Sequence, residues 1–232
     1  MSTADSADAR SRVLAKLRKA VAASGMPGAT DAPETRGAAV AGRLAERAQG
    51  GPIPTFGRLE EREKVDRFTD QLGKLSATYS RLPSLQALPY ALAEALRERN
   101  LPASIRMGED PDFAALSFEA LDVSVGPGRV EEPATLSRAV GAIAETGQLI
   151  LLSGPRNPVT LTFLGDAHFI LLRASEIEAG YEGAWARLRR MKADPRTVNL
   201  VAGPSRTADI GQQLELGAHG PVSLHVFLVD DV

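Results

Sequence analysis

Cysteine is absent from the sequence of 232 residues. Without a thiol the chain forms no disulfide, offers no thiolate nucleophile and cannot hold zinc or an iron–sulfur cluster through cysteine. Histidine is also scarce, since only His168, His219 and His225 occur, and a site with several histidine ligands is not expected. We therefore expect this chain to bind no metal or redox cofactor itself, so that any redox chemistry would need a diffusible cofactor or a partner subunit.

Long apolar runs and an excess of one charge are also missing. No apolar run approaches the roughly 20 residues that cross a bilayer, and the N-terminal MSTADSADAR lacks the apolar core of a signal peptide. The 27 basic and 29 acidic side chains nearly cancel, whereas a dedicated nucleic-acid-binding protein usually shows a basic excess. We expect a cytoplasmic protein with no membrane span and no nucleic-acid partner.

The first 57 residues differ in composition from the rest. Apolar side chains recur on one face of residues 11–23, which predicts a short amphipathic helix. Residues 24–57 are rich in Gly, Ala, Pro and Thr and predict a linker or surface arm, with a possible helix at 38–48. The predicted organisation is an N-terminal helical arm, 1–57, followed by one domain, 58–232.

Two helices are predicted at the start of that domain. A stripe at spacings of three and four favours a helix that packs on a sheet or a neighbouring helix, while a dimer-forming coil remains the alternative. This stripe consists of Val65, Phe68, Leu72, Leu75 and Tyr79. A second helix is predicted over 85–99 and ends before Pro102.

From residue 104 onward, short apolar segments alternate with predicted helices. Strands are predicted at 104–107, 121–125, 148–152, 169–172, 198–201 and 223–229, and helices at 135–144, 175–192 and 205–216. Ser175 and Glu178 have the spacing of a capping box at the start of the second of these helices. Unbroken apolar strands are typical of a parallel sheet covered on both faces. The pattern predicts a Rossmann-like, three-layer α/β domain with a mostly parallel sheet.

Ligands of open parallel sheets bind beyond the carboxyl ends of the strands. The segment GPSRTADI follows the predicted strand 198–201. Gly203 would end this strand, Ser205 or Thr207 would cap the next helix, and the free amides of that helix together with Arg206 would hold an anion. Asp209 suits the same helix dipole. Simple capping and helix stabilisation explain the same residues, so both interpretations remain open.

Two further groups are candidates for proton transfer. His219 lies in a glycine-flanked loop and is a candidate proton acceptor, although loop histidines are often merely exposed. Glu145 and Thr146 precede Gly147 in a predicted turn, where Glu145 could act as a general base or simply end a helix. His225 is predicted to be packed in its strand, and the role of His168 stays undecided.

Three segments, read together, resemble a known family. AIAETGQLIL, VAGPSRTADI and GAHGP before an apolar strand, in this order and spacing, resemble the LUD-domain family over about residues 60–232. Gly211 stands where that family usually has Glu. The matching residues are Glu145, Thr146, Gly147, Gly203, Pro204, Ser205, Thr207, Asp209, Ile210, His219, Gly220 and Pro221.

The resemblance implies both a fold and a role. The fold would be similar to that of ribose-phosphate isomerase, glucosamine-phosphate deaminase and CoA transferases. The role would be a part in oxidising L-lactate to pyruvate beside companion proteins that carry iron–sulfur clusters. Our leading hypothesis is a non-redox subunit that binds a small carboxylate, a phosphate or a partner through residues 203–221. The alternatives are an autonomous enzyme acting on a sugar phosphate or acyl-CoA, and an assembly factor.

Overall fold

The computed structural model describes residues 3–23, 33–46, 53–130, 132–208, 214–217 and 219–231. The chain divides into two compact units, Met1–Gly51 and Pro52–Val232. Within the described ranges, every helix is too short or too polar to span a bilayer.

The first unit contains two helices, α1 over Thr3–Ala23 and α2 over Pro33–Glu46. The helices predicted at 11–23 and 38–48 are therefore confirmed over the residues that the structure describes. The apolar stripe of α1 is exposed, with Val13 and Leu17 each 56% accessible. Residues 24–32 and 47–52, which belong to the predicted linker, lie outside the described residues.

The second unit contains five further helices, three single turns of 3-10 helix and twelve strands among its described residues. The helices are α3 Glu61–Lys74, α4 Leu88–Glu98, α5 Pro111–Ala114, α6 Val159–Phe163 and α7 Tyr181–Arg190, and the 3-10 turns are Thr55–Gly57, Leu85–Ala87 and Ala174–Glu176. The strands are β1 Thr78–Leu82, β2 Ser104–Met107, β3 Asp122–Val125, β4 Ala134–Arg138, β5 Gly141–Ile143, β6 Gln148–Leu152, β7 Ala167–Arg173, β8 Ile177–Glu178, β9 Val198–Val201, β10 Arg206–Ala208, β11 Leu214–Leu216 and β12 Ser223–Val229.

A six-stranded sheet in the order β1-β12-β7-β4-β2-β3 forms the centre of this unit. All of its pairings are parallel. A smaller mixed sheet has the order β8-β5-β6-β9, and β10 and β11 form a separate two-stranded ribbon. The α/β fold with a parallel main sheet is therefore confirmed.

Strand β7 separates two apolar layers because its side chains alternate between the two faces of the sheet. Phe169 and Leu171 join the layer that contains α4. Ile170 and Leu172 join the opposite layer, which contains α3 and the smaller sheet. The apolar face of α3 is thus covered inside the unit, which confirms that this helix packs on a sheet. His168 faces the same side as Ile170, and this orientation positions the site described below.

The helix predicted at 135–144 is wrong, because these residues form β4 and β5. Strand β4 lies between β2 and β7 and is covered on both faces. A buried strand needs no alternation of polar and apolar residues, so short apolar segments of this kind are ambiguous from sequence.

The predicted start of the next helix is also wrong. The backbone N–H and hydroxyl of Ser175 donate to the carboxylate of Asp231 at 3.0 and 2.8 Å, so Ser175 does not cap a helix. Helix α7 begins only at Tyr181, after Glu178 has paired in β8. In the earlier stripe, α3 ends at Lys74 and Tyr79 belongs to β1.

Candidate functional site

The described residues of the segments GPSRTADI and GAHGP meet after the end of β9. The backbone N–H of Ser205 donates to the carbonyl of Pro221 at 2.8 Å, and the N–H of Gly217 donates to the carbonyl of Ser205 at 3.1 Å. Gly203 has a φ of 135°, and a Cβ on it would lie 2.6 Å from the carbonyl oxygen of Leu75. Glycine is therefore required where the chain leaves β9 against the end of α3.

A cavity of about 370 Å³ lies beside these two segments, and we call it the β7–β12 cavity. Its walls come from α6, β9 and the first residues of β7 and β12. Its polar lining consists of Thr162, His168, Asn199, Ser205 and His219. None of the described residues that line it is Asp, Glu, Lys or Arg. The cavity can therefore bind polar groups through neutral hydrogen-bonding groups and histidine.

His168 forms a buried part of the wall, with 1% of its surface exposed. Burial lowers its pKa to about 3, because the charged imidazolium loses its hydration. Neither ring nitrogen has a hydrogen-bond partner among the described residues. Within the same ranges, Thr162 Oγ1 and Asn199 Nδ2 are likewise buried without a partner. Buried polar groups are nearly always paired, so this wall is suited to a polar ligand.

The cavity lies at the amino ends of β7 and β12, since His168 and Leu224 are the second residues of these strands. The sequence pattern instead predicts a site beyond the carboxyl ends of the parallel strands. The difference arises because the glycine-rich segment follows β9, which belongs to the smaller sheet. The carboxyl end of β9 is thus brought beside the amino ends of β7 and β12.

The carboxyl ends of β4 and β7 instead carry an ion-pair network. Arg138 donates to both carboxylate oxygens of Glu176 at 2.7 and 2.8 Å and to Asp112 at 3.2 Å. Arg173 also donates to Asp112, at 3.0 Å. Burial alone would raise the pKa of Asp112, but the hydrogen bonds from Arg173 and Arg138 outweigh it and lower the pKa. The positive and negative side chains of this network are therefore paired with one another.

Arg206 does not contribute to the β7–β12 cavity. The helix predicted at 205–216 is wrong, because β10 and β11 form an antiparallel ribbon with Arg206 opposite Leu216. Gly211 in the interior of this segment disfavours a helix. The guanidinium of Arg206 donates through Nη2 to the hydroxyl of Ser76. Helix amides backed by Arg206 are therefore not available as an anion site.

The remaining predicted site residues fall into three groups. Gly203, Ser205 and His219 all line the cavity, whereas Glu145 and Thr146 do not. These last two lie in the hairpin between β5 and β6, where Gln71 donates to the carbonyl of Glu145 at 3.3 Å. The side chain of Thr207 and the whole of Asp209 lie outside the described part of the structure.

His225 faces the opposite side of the sheet from His168, and its packed position confirms the prediction. Thr78 Oγ1 lies 2.7 Å from Nδ1, and Ser80 Oγ lies 2.9 Å from Nε2. Burial lowers its pKa to about 4, with a further contribution from the charge of Arg99. Both ring nitrogens are thus paired inside the protein.

Sequence reasoning missed Thr162 and Asn199 and left His168 undecided. The available signal was a polar residue within an apolar strand, AHFILLR for His168 and VNLV for Asn199. A single strand does not show which of its faces meets a cavity, because that depends on its register with β12 and β4.

Comparison with known proteins identifies the part of the chain that contains this site. Residues 133–229 match the LUD domain. We call these residues the LUD segment, and every residue of the cavity wall lies within it. The resemblance to the LUD-domain family is therefore confirmed for this part of the chain.

Similar proteins align with this chain over a limited length. An uncharacterized protein of Neisseria meningitidis serogroup B is 37% identical over 97 residues, which is 41% of this chain and 42% of that protein. Lactate utilization protein C of Anoxybacillus flavithermus is 34% identical over 89 residues, 38% of this chain and 40% of that protein. The chain thus spans about two fifths of the length of the curated relatives that it matches.

A solved structure supports the fold over a longer range. The crystal structure of a DUF162 family protein from Deinococcus radiodurans superposes with a TM-score of 0.54. The match covers 74% of this chain and 99% of that protein at 24% sequence identity. This likeness establishes a shared fold.

Proposed function

We propose that this protein acts in lactate utilization as a subunit without redox centres of its own. It would support the oxidation of L-lactate to pyruvate together with iron–sulfur partner proteins. The proposal is supported by the LUD segment and by its similarity to proteins named lactate utilization protein C. The oxidation releases two electrons and two protons, and the partner clusters would accept the electrons, since this chain has no cysteine to hold a cluster.

We further propose that the β7–β12 cavity binds a small carboxylate. The observation that carries this proposal is that both family-like segments, through Ser205 and His219, line one cavity. Its volume of about 370 Å³ is ample for a three-carbon acid. Hydrogen bonds to the carboxylate oxygens would come from Asn199, Ser205 and Thr162. His219, at the exposed mouth of the cavity, would act as the proton acceptor.

The role in lactate utilization is tested by growth. Deletion of the gene should abolish growth of its source organism on L-lactate while leaving growth on pyruvate intact. The wild-type gene should restore growth. Normal growth of the deletion strain on L-lactate would contradict the proposal. Turnover of a sugar phosphate or an acyl-CoA by the isolated chain would instead favour an autonomous enzyme.

Carboxylate binding is tested on the purified full chain. L-lactate should raise the melting temperature, because a ligand that binds only the folded state stabilises it by mass action. Ser205→Ala and His219→Ala should each weaken this effect. Ser117→Ala is the matched control, since Ser117 is exposed and bonds only to Glu119 among the described contacts. An equal effect in all three variants would exclude the cavity as the site.

A further inference from the structure

Strand register directs His168 into the β7–β12 cavity. His168 pairs with Leu224 of β12 and with Thr135 of β4 across the parallel ladders. Leu224 offers no polar atom, and the hydroxyl of Thr135 already donates to the carbonyl of Leu161 at 2.7 Å. Neither neighbouring side chain can therefore donate a hydrogen to the imidazole lone pair, because Leu224 has none to give and Thr135 gives its own to Leu161. The cavity is the remaining side from which a donor can approach.

The imidazole of His168 is neutral at physiological pH because burial lowers its pKa to about 3. A neutral imidazole carries one N–H donor and one nitrogen lone pair. The lone pair is satisfied only by a group that donates a hydrogen. Ligand oxygens of a carboxylate or a carbonyl accept hydrogen bonds only, whereas a hydroxyl can also donate one.

The cavity supplies donors for the rest of such a ligand. Asn199 Nδ2 is a buried donor with no partner in the described part of the chain, and the hydroxyl of Thr162 can donate or accept. A carboxylate would accept the hydrogen bonds of these donors. The lone pair of His168 would then remain to accept a hydrogen bond from a neighbouring hydroxyl of the ligand. A ligand with an oxo group in place of that hydroxyl would leave the lone pair buried and unpaired.

We propose that His168 determines specificity in the β7–β12 cavity by accepting a hydrogen bond from a ligand hydroxyl, so that the site selects a small 2-hydroxy acid over its 2-oxo counterpart. This inference rests on the proposed binding of a small carboxylate in the same cavity. An unpaired buried polar group weakens binding by roughly tenfold to hundredfold. The oxo acid should therefore bind more weakly by about this factor.

Calorimetric titration of the full chain with L-lactate and with pyruvate tests the proposal. We expect the wild type to bind L-lactate at least about tenfold more tightly. His168→Leu should bring the ratio of the two affinities close to one, and His168→Gln, which retains a donor and an acceptor, should restore part of the preference. His225→Gln is the matched control, because His225 is also buried but has both ring nitrogens paired within the protein.

Two results would overturn the proposed role of His168. One is equal affinities of the wild type for L-lactate and pyruvate, and the other is an unchanged preference for L-lactate in His168→Leu. Failure of both acids to bind would also overturn the proposed role of His168. The broader role in lactate utilization is tested separately, by growth of the deletion strain on L-lactate. A measurement without any variant is available if His168→Leu does not fold. The ring-nitrogen resonance of His168 should shift on addition of L-lactate and not of pyruvate, and the absence of that difference would overturn the proposal.

Discussion

The backbone N–H of Ser205 donates to the carbonyl of Pro221 at 2.8 Å, which joins two segments that are 16 residues apart in the sequence. This bond places the hydroxyl-bearing residue of one segment beside the loop of His219, and both residues line the β7–β12 cavity. The two segments must therefore be separated by a suitable length of chain in order to form this one local structure. Changes to the backbone of either segment should alter the cavity wall.

Gly203→Ala should destabilise the fold. The residue adopts a φ of 135°, and its new Cβ would lie 2.6 Å from the carbonyl oxygen of Leu75. Backbone strain of this kind alone costs about 1–3 kcal/mol of unfolding free energy. Urea unfolding measures the loss. Gly73→Ala is the control, because its Cβ would meet no atom within 4 Å in helix α3, so no loss is expected there. Equal effects of the two substitutions would contradict the structure around Gly203.

Arg206→Ala should leave the affinity for L-lactate within about threefold of the wild type, a change of less than about 0.7 kcal/mol. The guanidinium bonds to Ser76 and does not line the cavity. Calorimetric titration of the variant beside Ser205→Ala gives the comparison. A large loss of binding in Arg206→Ala alone would restore this residue as the anion anchor suggested by the sequence.

Stability should fall as the pH is lowered from 7 to 5. The pKa values of His168 and His225 are lowered to about 3 and about 4 in the folded protein. Below pH 6.5, the ordinary value, the unfolded chain therefore takes up protons that the folded chain does not. Each histidine contributes a loss of up to about 1.4 kcal/mol per pH unit.

Urea unfolding at pH 7, 6 and 5 measures this dependence. His168→Gln removes one of the two titrating groups, so the unfolding free energy of the variant should fall less steeply with pH. Identical slopes for the variant and the wild type would show that His168 is not buried in its neutral form.

Arg138→Met should destabilise the second unit strongly. Its side chain is only 10% exposed, and the substitution removes one of two arginine partners of Glu176, which is 13% exposed and also pairs with Arg187 at 3.2 Å. Breaking a buried ion pair on one side costs up to about 3–5 kcal/mol, and the remaining pair with Arg187 should reduce this cost. Arg97→Met removes an exposed pair with Glu94 and should cost less than about 1 kcal/mol. Chemical unfolding of both variants measures the difference.

The ion-pair experiment has a second arm. In the double variant Arg138→Met with Glu176→Gln, position 176 no longer carries a carboxylate that has lost one of its arginine partners, and part of the lost stability should return. If the double variant is less stable than Arg138→Met by the full cost of a second independent substitution, the two side chains do not interact.

The sequence determined the strands that are mainly apolar. The segments QLILL, VNLV and SLHVFLV have the bounds predicted from their residues, because long β-branched and aliphatic side chains pack well on a pleated surface. The family-like segments also pointed to Gly203, Ser205 and His219, which line the cavity, since glycine, serine and histidine in loops stand out against an apolar background. The α/β class followed from the alternation of elements.

Tertiary structure decided what local pattern left ambiguous. Residues 135–144 and 205–216 carry spacings that suit a helix, yet those of them that the structure describes lie largely in strands, where pairing with β7 and within the β10–β11 ribbon satisfies their backbone groups. The position of the cavity required two sheets to meet, since β9 belongs to one and β7 to the other. His168 became part of the site through register alone, because a shift of one residue would turn its imidazole to the other face of the sheet.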